Sequence, residues 1–152
     1  MSAEDPDASQ PAFVDTNVLV YALAADDDAR APVAQALLRR LMMARALRLS
    51  TQVLQELFVT LTRKVQKPLP PGQAIRYLDQ LAVFPVFCPD YPALRDAAEL
   101  SESAKLSFWD SLVVVSAARA GAPHLYSEDF NEGQSILGVE VVNPFSGHTS
   151  RR

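Results

Sequence analysis

Short apolar runs alternate along this chain with longer stretches in which apolar side chains recur every third or fourth position. "AFVD" reads as a strand over 12–15, and the apolar pattern resumes in a helix from about residue 17. After the polar turn "ADDD" a second helix covers about 29–46, and "LRLS" is a short strand ending at Ser50, which can cap a helix from Thr51 to about Lys64. A helix follows Pro71 and ends near Leu81, "VFPVFC" is a strand, and "YPALRDAAELSESA" is a helix. Trp109 to Ala120 forms the last helix, stopped by Gly121 and Pro123, and "HLYS" and "VEVVN" are strands. This alternation predicts an α/β fold with a central parallel sheet and helices on both faces.

Composition narrows the picture. With 152 residues, 49% hydrophobic and 21% charged, the chain is expected to form one domain with a substantial core. Residues 1–11, "MSAEDPDASQP", are polar and acidic without the apolar stretch of a signal peptide, and read as a disordered leader; 146–152 read as a flexible tail. The domain proper is then 12–145, since the linker-like "KPLPPG" at 67–72 is too short to separate two domains. No apolar stretch reaches bilayer length, and the single Cys88 cannot form an internal disulfide, so a cytoplasmic protein is expected. Cys88 itself reads as a small core residue. The net charge of −4 argues against a nucleic-acid partner, but its distribution does not. Arg39, Arg40, Arg45, Arg48, Arg63, Lys64 and Lys67 lie between 39 and 67, opposed only by Glu56. They are either solvated helix faces or a surface for phosphates.

The carboxylates change the picture more. In open α/β sheets functional groups gather beyond the carboxyl ends of the strands. Asp15 ends the first strand, where an Asp can also cap the next helix, and Asp129 follows "HLY", where "SEDF" can also be a plain turn. Asp110 opens a helix that is apolar almost all round from Leu112 to Ala118 and therefore buried, and a helix N-terminus offsets only part of the cost of desolvating a carboxylate. Glu56 flanks the apolar stripe of Val53, Leu54, Leu57, Phe58, Leu61 and Val65, with no base three or four residues away to pair with it; taken alone it reads as a solvated helix glutamate rather than a site residue. Asp26, Asp27 and Asp28 read as a turn, and Asp96, Glu99 and Glu102 as a solvent face. Converging carboxylates repel unless a cation joins them, and all-oxygen ligation favours Mg²⁺, with Mn²⁺ as the alternative. The two histidines, His124 and His148, supply no zinc or copper site. Such an ion suits phosphodiester hydrolysis, with the basic segment holding flanking phosphates.

At these residues a family likeness enters. "FVDTNVLVYA", "STQVLQELF", "LSFWDSLVVVSA" and "LYSEDF" occur in the order and approximate spacing of PIN-domain proteins, and the chain closely resembles toxin ribonucleases of the VapC type over roughly 12–145. The resemblance implies a three-layer α/β/α fold and a metal-dependent endoribonuclease. It implies metal-binding roles for Asp15 and Asp110, with Glu56 and Asp129 completing the acidic site. Thr16, Asn17 and Ser127 fall where the family orients acids or water. Arg48, Arg63, Lys64 and Lys67 are then candidates for RNA contact. A small antitoxin partner and a homodimer are also implied. Trp109 reads as core packing beside Asp110, with stacking on a base as the alternative. A haloacid-dehalogenase phosphatase would need an Asp where Asn17 stands, and a receiver domain would need a lysine ending a late strand, where this chain has "HLYSED". Two rivals stay open: a PIN-like RNA- or protein-binding module without cleavage, and a solitary RNA-processing nuclease.

Overall fold

Ala12, Phe13 and Val14 are all buried, and that is possible only for a strand covered on both faces. They form β1 (Ala12–Val14), which pairs in parallel with β2 (Leu47–Ser50) on one side and β4 (His124–Tyr126) on the other. The computed structural model describes residues 6–7, 9–25 and 27–146, so most of the expected leader, the tail from 147, Asp26 and His148 lie outside the described residues.

The sheet has the order β3-β2-β1-β4-β6-β5, with β3 at Val86–Phe87, β5 at Ser135–Ile136 and β6 at Val139–Val142. All pairings are parallel except β5 with β6. That edge departs from the expected all-parallel sheet. β5 went unseen because two residues carry no periodicity; it returns through Leu137 and Gly138, both at positive φ, as a tight hairpin requires. β3 is also shorter than "VFPVFC" indicates. Pro85 has no N–H to donate, although its carbonyl accepts from the Leu49 amide at 3.2 Å.

Between β1 and β2 lie α1 (Thr16–Ala24) and α2 (Arg30–Met43), and between β2 and β3 lie α3 (Thr51–Val59) and α4 (Pro71–Leu81). These four pack on one another over one face of the sheet. α5 (Tyr91–Ala104) and α6 (Phe108–Arg119) return the chain from the β3 edge to β4 and pack together on the opposite face, as right-handed crossovers dictate. The expected three layers are therefore present. α6 is buried throughout Ser111–Ala117, which explains its nearly unbroken apolar sequence.

The end of α3 differs from a plain helix. Thr60–Lys64 forms a π-helical turn in which the Val65 amide donates to the Thr60 carbonyl at 3.1 Å. Single π turns inside helices recur at functional sites. Two side chains expected in the core are outside it. Cys88 is exposed, on the short edge segment after β3. Trp109 is 60% exposed, its ring edge-on to Phe108, because the first turn of α6 projects past the sheet before the helix becomes buried at Ser111.

Candidate acidic site at the strand ends

Parallel pairing of β2, β1 and β4 sends three strand ends out of one edge of the sheet. Asp15 follows β1, Ser50 ends β2 and caps α3 by accepting from the Val53 amide at 3.2 Å, and Ser127 follows β4. Asp15 occupies the N-cap position of α1, so the capping expectation holds as far as place goes. Its bonds go further. One carboxylate oxygen accepts from the Thr16 amide at 2.8 Å, and the other accepts from the fully buried Ser127 hydroxyl at 2.9 Å.

Asp15 is only 5% exposed. Burial pushes its carboxyl up to about 7, against the pull of the Ser127 and Thr16 hydrogen bonds, and the charges of Asp129 and Glu56 push it further the same way. Asp110 is half-buried in the first turn of α6 and is also held above the ordinary carboxylate range. Burial is again the main cause, the Ser107 hydroxyl opposes it, and Asp129 adds to it. Asp129 is therefore felt by both Asp15 and Asp110, and Glu56 by Asp15. Four acids from four segments are thus coupled through their charges. Among the described residues, none of them has a Lys, Arg or His partner in an ion pair.

The small polar residues tie these acids together. The Thr16 hydroxyl lies 3.2 Å from a Glu56 carboxylate oxygen and 3.3 Å from the Val53 carbonyl. Asn17 donates from Nδ2 to the Ser127 Oγ at 3.3 Å and accepts on Oδ1 from the Glu128 amide at 3.4 Å; the Asp129 amide also donates to Ser127 Oγ, at 3.1 Å. Ser127 thus joins Asp15, Asn17 and the loop carrying Asp129.

A cleft of about 660 Å³ opens beside this network, with Thr16, Asn17, Glu56, Lys64, Glu128 and Asp129 among its walls. Val20, Val59 and Val65 supply an apolar side, and Thr60 and Lys64 of the π turn line the same cleft. A larger groove of about 840 Å³ lies between α5, α6 and Leu137, away from the four acids. Of the basic candidates, Lys64 reaches the acidic cleft, while Arg63 and Lys67 are exposed on the same terminal stretch. Arg48 is directed elsewhere. Its guanidinium donates to the Arg45 and Leu47 carbonyls at 3.2 and 3.1 Å, toward the amino end of β2, so the structure separates it from the acids.

Gln52 and Glu128 escaped the sequence reading. Gln52 is buried one turn before Glu56 and donates to the Trp109 carbonyl at 3.2 Å, linking the helix of Glu56 to the first turn of Asp110's helix. Its position four residues before Glu56 was a signal, but glutamines at that spacing are common on solvated faces. The donor set is oxygen-rich and acidic, and a buried carboxylate without a counter-ion fits a hard divalent cation. Among the described residues, no three Asp, Glu, His or Cys side chains form a ready-made cage.

Fold and site together define an α/β domain with an acidic strand-end cleft, an arrangement suited to cation-assisted chemistry on phosphate esters. The chain belongs to the PIN-domain family, whose sequence profile matches residues 12–131. Among solved structures it is similar to VapC20 of Mycobacterium tuberculosis, a sarcin–ricin loop cleaving toxin, with 22% identity, a TM-score of 0.65, and coverage of 79% of this chain and 91% of that one. It is also similar to a toxin–antitoxin complex from Klebsiella pneumoniae (20% identity, TM-score 0.64, 88% of this chain and 97% of that one). The Rickettsia felis VapBC2 complex, bound to a DNA fragment from its promoter, gives 20% identity and a TM-score of 0.62 over 88% of this chain and 98% of that one. No curated protein matches the chain.

Proposed function

We propose that this chain is a metal-dependent endoribonuclease that hydrolyses RNA phosphodiester bonds, and that it is the toxin of a type II toxin–antitoxin module. The observation that carries the reading is buried Asp15, whose carboxyl is raised by burial and by two further acids and has no cationic partner among the described residues. Family membership supports it, as do fold neighbours that include an RNA-loop cleaving toxin and two toxin–antitoxin complexes.

In this reading Asp15 and Asp110 hold Mg²⁺, or Mn²⁺ in its place. When bound, such an ion lowers the pKa of a water and neutralises charge developing on the phosphoryl group. Glu56 accepts a proton from the attacking water, and the Thr16 hydroxyl, donating to it at 3.2 Å, sets its direction. Asp129 orients the same water from the opposite loop. Ser127 keeps one oxygen of Asp15 engaged, so that the carboxylate stays turned toward the site. Lys64, with Arg63 and Lys67 behind it, takes the flanking phosphates. We assign the nuclease domain to 12–145 and a cytoplasmic setting. A small antitoxin and a second copy of the chain are its expected protein partners. Among the described residues no helix is long and apolar enough to cross a membrane.

A second reading, a PIN-like binding module without cleavage, draws on the finding that no three metal-ligating side chains cluster among the described residues. One experiment separates them. Purified protein is incubated with total RNA, with Mg²⁺, with Mn²⁺ or with EDTA, beside Asp15→Asn and Asp110→Asn. Cleavage that needs the ion and disappears in both variants is expected. The same cleavage pattern from all three proteins would defeat the site assignment, equal activity in EDTA would reject the metal, and intact RNA throughout favours the binding module.

A further inference from the structure

The Asp129 carboxylate makes no hydrogen bond among the described residues, yet the residue lines the cleft with Thr16 and Glu56, and its amide donates to the same Ser127 hydroxyl that holds Asp15. Asp129 is exposed and sits in a loop. Its placement therefore depends on how the loop backbone is held. Its neighbour Glu128 is held by side chains of α1 and α2: it accepts from the Tyr21 hydroxyl at 2.9 Å and from Arg30 Nη1 at 3.4 Å. The Glu128 amide is held as well, by Asn17 Oδ1.

The two partners of Glu128 are themselves fixed. Arg30 stacks over the Tyr21 ring at 4.5 Å, and its Nε is tied to Asp28 at 3.0 Å. Fully buried Phe145 packs edge-on against the same ring at 5.1 Å. Burial and Glu128 push the Tyr21 hydroxyl up to about 12, so it remains a protonated donor at any working pH. With Arg30 beside it, Glu128 is a compensated carboxylate, unlike its neighbour Asp129.

We propose that Tyr21, Arg30 and Glu128 form a positioning clamp that grips the loop after β4 through Glu128 and thereby aims Asp129 at Asp15 and Asp110. The clamp rests on the nuclease reading for its purpose but on its own geometry for its existence. It separates two adjacent acids by role: Glu128 anchors the loop and Asp129 completes the acidic cleft. Removing the clamp frees the loop, and Asp129 then samples positions farther from Asp15 and Asp110, which weakens the negative field available to a cation there.

The test uses the full metal-free chain with Tyr21→Phe, Glu128→Ala and Glu128→Gln, and has three readouts: amide hydrogen exchange of the loop around 127–129, Mn²⁺ affinity from the EPR signal of free Mn²⁺, and the thermal midpoint. Tyr21→Phe and Glu128→Ala are expected to speed loop exchange about tenfold and to weaken Mn²⁺ binding about tenfold. Glu128→Gln, whose amide oxygen still accepts from Tyr21 and Arg30, is expected to recover most of both. If loop exchange and Mn²⁺ affinity stay at wild-type values, the clamp is wrong. Losses that merely follow the thermal midpoint across the whole chain also overturn it, because they describe general loosening. If Glu128→Ala does not fold, Tyr21→Phe carries the test by deleting one hydroxyl. A wild-type protein that binds no Mn²⁺ defeats the nuclease reading instead, and loop exchange then decides the clamp alone.

Discussion

At the scale of single residues, Asp15 concentrates the tension between folding and function. Its carboxyl is raised from 3.8 to about 7, so the folded protein binds this proton more tightly than the unfolded chain does. Stability from this group is therefore greatest below about pH 4, is lost as pH rises, and stays low above about pH 7. The loss is on the order of 4 kcal/mol. Urea or thermal denaturation of metal-free protein should show that decline, and Asp15→Asn should flatten it. A divalent cation should raise the melting temperature more at pH 8 than at pH 5. The same substitution should lower RNA cleavage by more than the roughly 100-fold expected for a residue that only braces a ligand. The sequence announced Asp15 by setting a charge against an apolar strand. It misplaced Trp109 and Cys88, because a large or small apolar side chain looks the same whether its helix turn or edge strand is covered or not.

Among the elements, α6 shows how a helix start can be both capped and functional. Ser107 accepts from the Asp110 amide at 3.0 Å, and its hydroxyl also opposes the upward push on the Asp110 carboxyl. Ser107→Ala should cost about 1 kcal/mol in urea denaturation. It should also move the acidic limb of the cleavage pH profile upward, since a restraint on the Asp110 carboxyl is removed. Existence and type were legible for every long element, because a buried face repeats its apolar residues at the helical or strand period. Ends were less so. The last helix begins at Phe108 rather than Trp109, and α3 finishes as a π turn, which leaves the apolar stripe intact while changing the hydrogen-bond partners. "VFPVFC" shrank around Pro85, and β5 had too few residues to register.

For the whole molecule, electrostatics oppose the proposed substrate: the chain carries −4 overall and must meet a polyanion beside its own acids. Lys64, on the wall of the cleft, is the basic residue placed to offset this locally. Lys64→Ala should weaken RNA binding across sequences and reduce the salt slope by about one, measured by titrating labelled RNA at several ionic strengths with an Asp110→Asn background to prevent cleavage. A slope unchanged from the parent would remove Lys64 from the RNA path. Three layers bring this about. α1 and α3 on one face and α6 on the other deliver their acids to the same edge because β1, the strand of Asp15, lies between β2 and β4.

By itself the sequence determined the α/β alternation, the buried character of α6, and the strand-end and helix-start positions where acids stand against apolar surroundings. Each of these follows from periodicity and desolvation, which act over a few neighbouring residues. Only the tertiary structure decided which side chains meet the acids. Ser127 reaches Asp15 across 112 positions and Thr16 reaches Glu56 across 40, contacts set by strand order and crossover handedness rather than by any local pattern. It also decided that Arg48 faces away while Lys64 faces in, and that Glu128 turns toward Tyr21 and Arg30 while its neighbour Asp129 is felt by the acids. Side-chain direction in a loop depends on the partners that grip it, and those partners come from distant segments brought near only by folding.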